Sequence, residues 1–191
     1  MPNSTTTRAQ GGLLLAILAG AALLRCCDLA ALPPAHYRDV ALTATDALRA
    51  AAGHPRLHFT YDEGLYADLM GGLFRLAGVS DVTVRLPGAI FGVLTCWGVF
   101  LLGAALGQAR AGLWGAALLA VSLWHLILSR SGFRAVLLPL LLVMSLALLV
   151  EALRRGGRVR SAAAGALFGL GVHVYPAIRF APLILPPLWL A

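Results

Sequence analysis

The apolar residues of this chain are bunched into runs about as long as a bilayer is thick, and that feature decides most of what the chain can become. A helix needs about 20 mainly apolar residues to cross the hydrocarbon core of a membrane. The first run is Gly11 to Leu24, and its apolar character continues to Leu32. The others are Val82 to Leu106, Gly112 to Leu128, Phe133 to Leu153 and a shorter Ala162 to Tyr175. A sixth begins near Ala177 and is still apolar at Ala191. If Pro176 only kinks one long helix, the spans number five rather than six. The fold expected is therefore an all-α membrane protein of five to six transmembrane helices, one transmembrane domain over residues 1–191. Because the last apolar run reaches the final residue, the chain is expected to be a piece of a longer protein.

Composition agrees. The chain is 60% hydrophobic and 12% charged, against about 45–50% and about 25% in soluble domains. That excludes a soluble globular enzyme and a disordered chain. The net charge is +7, and all 15 basic residues are arginine. They flank apolar spans instead of forming one stripe, so they report membrane topology and not nucleic-acid binding. Cys26, Cys27 and Cys96 show no CxxC or zinc spacing and read as small apolar side chains. A signal peptide is the rival reading of the first run, since Arg8 precedes it. The apolar character continuing past Arg25 and Asp28, a pair able to meet on one helix face, favours a span.

Arginine also sets the orientation. With a cytoplasmic N-terminus, Arg8, Arg110, Arg154, Arg155, Arg158 and Arg160 fall in short inner loops, as the positive-inside rule requires. Pro33 to Asp81 then lies outside. Five arginines remain at the outer boundary against the rule: Arg25, Arg85, Arg130, Arg134 and Arg179. Each reads either as a snorkelling anchor or as part of an anion site. Arg130, Arg134 and Arg179 sit at two helix turns on that side and are the candidates for a lipid phosphate, which the planar guanidinium fork suits. Arg85, at the start of the second span, reads as a plainer anchor.

The outer loop carries two further helical periodicities. Ala41, Leu42, Ala44, Ala47, Leu48 and Ala51 form one apolar stripe, ended by Gly53-His54-Pro55. Leu65, Leu69, Leu73 and Leu76 form a second, widened by Tyr66, Met70 and Phe74. Both are too short to span and are expected as amphipathic helices on the outer membrane surface. Asp39 precedes the first helix, either as its N-cap or as a carboxylate able to take a proton from an acceptor. Glu63 begins the second, either favouring the helix dipole or facing a polar headgroup. His36 lies three residues before Asp39, a spacing that leaves a divalent metal ion open while naming no cofactor.

Three stretches carry a resemblance. Leu32-Pro-Pro-Ala-His36-Tyr37-Arg38-Asp39, followed by Ala44-Thr-Asp46-Ala-Leu48, is similar to the first outer loop of the polyprenyl-phosphate-dependent membrane glycosyltransferases. These are the family 39-like proteins of the GT-C class, which include protein O-mannosyltransferases and the lipid A aminoarabinose transferase. Ser122 to Pro139 looks like that family's turn between spans three and four. Gly169-Leu-Gly171-Val-His173-Val-Tyr175-Pro-Ala-Ile-Arg179 looks like its Tyr-x-x-x-Arg break between spans five and six. The chain thus resembles the N-terminal half of such an enzyme. The resemblance implies transfer of a hexose or pentose from a polyprenyl-phosphate donor to a glycan, lipid or protein acceptor. The transfer would occur on the extracytoplasmic face of the plasma (bacterial inner) membrane. It implies Asp39 as base, arginines compensating the leaving phosphate, and Glu63 as the second carboxylate. Where the family has Asp-Glu this chain has Asp39-Val40, so only the Asp carries over. The competing reading is a non-catalytic membrane scaffold of the same fold.

Overall fold

A computed structural model describes residues 4–55 and 64–184. Every described element is helical: α1 (Ser4–Cys26), α2 (Arg38–Ala51), α3 (Gly64–Ala77), α4 (Asp81–Ala105), α5 (Ala109–Val121), α6 (Leu123–Ser131), α7 (Leu137–Arg155) and α8 (Arg158–Val172). Short 3₁₀ segments occupy Arg134–Val136 and Pro176–Ile184.

Three stretches are long and apolar enough to cross a membrane: Ala9–Cys26, Asp81–Ala105 and Arg134–Arg155. The expected third span is broken: α5 and α6 meet at a 61° bend. The pair still tracks α4 from end to end. Gly112 lies against Gly103 near one end of α4, and Gly132 lies against Val84 near the other. A re-entrant loop would return to its starting end, so α5 and α6 together make a fourth path. By length and composition the described residues thus hold three candidate spans, or four with the bent pair counted as one, of the five to six expected. The stretch expected from Ala162 belongs to α8, whose 15 residues from Arg158 to Val172 make about 22 Å at 1.5 Å per residue. The stretch from Ala177 is 3₁₀ as far as Ile184.

Lipid tails are as apolar as leucine, so these helices associate through close packing rather than water exclusion. Small residues let them approach. A Cβ on Gly112 would stand 2.8 Å from the Phe100 carbonyl oxygen, and one on Gly98 would stand 2.6 Å from Val143 Cγ1. Ser145 Oγ donates to the Ala164 carbonyl at 2.8 Å, while Gly171 packs beside Leu138. Together these contacts make α8 run back beside α7, antiparallel to it.

At one end of the spans α2 and α3 form a cap. Gly71 of α3 presses on the backbone of Ala47 and Ala51, and Arg75 Nε donates to the Ala51 carbonyl at 2.7 Å. The cap shares one core with the spans beneath it: Val40, Ala47, Tyr66, Met70 and Phe74 pack with Val84, Val136, Leu137, Leu141 and Val174. Ser80 and Thr83 exchange hydrogen bonds as a capping box, which starts α4 sharply after the cap.

The helical periods of α2 and α3 are as expected, but the buried faces are not. In α3 the residues read as widening the stripe, Tyr66, Met70 and Phe74, form the buried face, whereas Leu69 and Leu76 are 46% and 88% exposed. In α2 the small residues Ala47 and Ala50 are buried with Val40 and Thr43, and Leu42 and Leu48 are exposed. Close approach of α2 and α3, with Gly71 against Ala47 and Ala51, puts small residues of α2 on the buried face and leaves its leucines outside.

Candidate functional site

Arginine side chains finish the backbone at the capped end. The break between α5 and α6 strips carbonyls at the end of α5 of their helical partners. In hydrocarbon each such group costs several kcal/mol if left unpaired. Arg25, fully buried near the end of α1, supplies them. Its guanidinium donates to Ala120 at 3.0 Å, to Leu119 at 3.3 Å and to Ala21 in its own helix at 3.1 Å. It also lies 2.9 Å from His125 Nδ1. Arginine can only donate, so Nδ1 accepts and the neutral imidazole carries its proton on Nε2. Gly92 makes room, since a Cβ there would stand 2.7 Å from Arg25 Nε.

Arg85 and Arg130 act similarly on the chain leaving α1. Arg85 is 2% exposed and donates to Leu29 and Ala30 at 2.8 and 3.0 Å. Arg130 donates to Leu24 at 2.6 Å, Cys27 at 2.8 Å and Leu32 at 3.4 Å. Two expectations are corrected here. Arg85 is a buried strap, not a plain anchor. Arg25 does not pair with Asp28, because α1 ends at Cys26 and Asp28 turns into left-handed backbone with φ 51°. Cys26 and Cys27 are exposed, and of the three thiols only Cys96 is buried.

These straps fix the segment that leads to Asp39. His36 Nε2 lies 2.9 Å from Asp81 Oδ1, tying the segment to the start of α4. Tyr37 occupies the N-cap position without a side-chain bond, so Asp39 is not the cap and stands in the first turn of α2. Its carboxylate is exposed, and no described residue hydrogen bonds it. Its backbone is held firmly: Thr43 Oγ1 donates to the Asp39 carbonyl at 2.8 Å, and Val40 is 1% exposed in the shared core.

The other candidates lie at the same end. Arg134 opens the 3₁₀ segment whose Val136 is fully buried in that core. Tyr175 packs against it beside the buried Val174. Arg179 is exposed on the last 3₁₀ segment, next to Ile178, which seats on Gly171. Glu63 lies outside the described residues. Among the described residues no group of three or more His, Cys, Asp or Glu side chains is gathered for a metal ion. Tyr66 wedges between α3 and α4 with its ring edge-on to Phe91 at 6.0 Å. Burial raises its phenol pKa, so it stays neutral.

Periodicity did not reveal the partners of Arg25, Arg85 and Arg130, nor the link between His36 and Asp81. The only signal was positive charge at the end expected to face out of the cytoplasm, and that signal does not separate a backbone strap from an anion site.

Three to four candidate membrane spans under a helical cap define the class, a multi-pass α-helical membrane protein. The profile of the dolichyl-phosphate-mannose-protein mannosyltransferase family matches residues 65–190, and the chain belongs to that family. That makes it a membrane glycosyltransferase of the GT-C type by family. The match includes the stretches at Ser122 to Pro139 and Gly169 to Arg179 and leaves the Asp39 stretch before it. No curated protein and no solved structure matches the chain.

Proposed function

We propose that this chain transfers a sugar from a polyprenyl-phosphate donor to an acceptor at its capped end, and that this end faces out of the cytoplasm. One observation carries the reading. Val40, Val136 and Val174 belong to a single core cluster, and they lie within two residues of Asp39, Arg134 and Tyr175 in the sequence. Residues from three distant parts of the sequence are thereby gathered at one end of the spans. The exposed carboxylate of Asp39 takes the proton of the acceptor as it attacks. Arg134 and Arg179 offset the charge that develops on the leaving phosphate. Arg130 holds the turn below them with most of its donors and contributes its remaining N–H groups.

The topology follows from the arginines. Arg110, Arg154, Arg155, Arg158 and Arg160 face the cytoplasm with the N-terminus, in line with the positive-inside rule. α8, running back beside α7, makes the fifth crossing, and the segment from Pro176 begins a sixth. Leu42, Leu48, Leu69 and Leu76, exposed on the cap, dip into the outer leaflet. Glu63, four residues before Ala67 of the cap core, supplies a second carboxylate.

Asp39→Asn in the full-length protein is the test. Asn keeps the size of Asp but takes no proton, so the rate of sugar transfer from a labelled polyprenyl-phosphate hexose should fall by about 10²–10⁴-fold. Membrane insertion should be unchanged. Near-normal transfer would remove Asp39 from the chemistry and favour a structural role for the first turn of α2.

A further inference from the structure

At the end opposite the cap, a groove of about 370 Å³ runs between α1 and α5. Both helices start at that end, so the groove has a polar mouth and an apolar length. Gln10 and Arg110 stand at the mouth, and Leu13, Ile17 and Leu113 line the way inward. Trp114 forms a wall and is 73% exposed, and Leu13 is 53% exposed. From Ala9 to Ile17 the groove extends about 12 Å at 1.5 Å per residue, close to the roughly 15 Å depth of one leaflet's hydrocarbon.

We propose that this groove holds one anionic phospholipid of the leaflet at that end, with its phosphate on Arg110 and an acyl chain along Leu13, Ile17 and Leu113. Charge and order commit the groove to a lipid. No described residue accepts a hydrogen bond from Arg110, whereas Arg154 and Arg160 at the same end donate to Ala105 and Gly156. A guanidinium fork at the boundary and an apolar channel behind it repeat the sequence of a phospholipid, phosphate first and chain after. Trp114 stands where an aromatic ring with one polar edge is favoured, near the headgroup level. A protein segment in the groove would bury Arg110 and have to supply it with a carboxylate. The site is separate from the proposed transfer site at the capped end.

Trp114 is a built-in reporter. The full chain carrying Trp97→Phe, Trp124→Phe and Trp189→Phe is reconstituted in phosphatidylcholine vesicles. Phosphatidylglycerol or phosphatidylcholine with a brominated acyl chain is then added at equal mole fraction. Brominated phosphatidylglycerol should quench Trp114 with an apparent affinity about fivefold above that of brominated phosphatidylcholine, the size of one arginine–headgroup attraction. Arg110→Gln should bring the two lipids to parity, and Ala117→Phe, which fills the groove, should remove the excess quenching of both. Raising salt on the unsubstituted groove should weaken the preference in the same direction, which covers the case of a variant that fails to fold. Equal quenching by the two lipids, a preference that survives Arg110→Gln or high salt, or a Trp114 shielded from both by a second copy or another segment would each overturn the proposal.

Discussion

The two ends of this molecule use arginine to different degrees. At the capped end Arg25, Arg85 and Arg130 turn inward, and their guanidinium groups complete carbonyls left over by the break after α5 and by the chain leaving α1. At the other end Arg110, Arg154, Arg155, Arg158 and Arg160 are exposed. Arg160 rests 3.6 Å from Glu151 on the neighbouring helix, a loose surface pair worth little by itself. At the capped end all three guanidinium groups serve carbonyls of distant segments, whereas at the other end Arg154 and Arg160 donate to Ala105 and Gly156 while Arg155 and Arg158 stay exposed. The lesson is that a cation on the disfavoured side of a membrane protein can be there because the backbone needs donors, before any ligand is invoked.

That contrast breaks most visibly at Arg25. Arg25→Met removes donors from Leu119, Ala120 and His125 together, and should cost about 3–5 kcal/mol of stability. Thermal unfolding of the purified protein in detergent measures it. Arg25→Lys should recover only part of the loss, because a point charge does not reproduce the fork. Full rescue by Lys would mean that charge, not geometry, is what this end requires.

Arg85→Met should come next, at about 2 kcal/mol, since two carbonyls lose their donor. Proteolysis at the Leu29–Leu32 turn should rise with it, as that turn is held by Arg85 and Arg130. An Arg85→Met variant as stable as the parent would return Arg85 to the anchors. The smallest effect belongs to the opposite end. Arg155→Gln should stay within about 0.5 kcal/mol, as for other surface changes without a buried partner.

Sequence alone carried the helical class, the order of elements and both cap helices, because apolar runs and 3.6-residue stripes are strong local signals. It did not carry the break after Val121. Nothing near Ser122 is a proline or a glycine, and the bend rests on donors from Arg25, far back in α1. Nor did it choose the buried faces of α2 and α3, where alanine and leucine alternate around the helix and only packing separates Ala47 from Leu48. Of the candidate site, the chain placed Asp39, Arg134, Tyr175 and Arg179 at one end by the alternation of spans. The straps that fix Asp39's segment were invisible, since a main-chain carbonyl leaves no mark in a sequence.

The most direct test of the central claim, that the capped end is the outward working face, is paired cysteine labelling in intact cells. Cys26, Cys27 and Cys96 are first replaced by serine. Ser80→Cys, at the start of α4 beside the cap, and Gly157→Cys, in the turn between α7 and α8, are then labelled separately with a membrane-impermeant maleimide. The account predicts that Ser80→Cys reacts from outside and Gly157→Cys reacts only after the membrane is opened. Labelling of Gly157→Cys in intact cells, with Ser80→Cys protected, would contradict it.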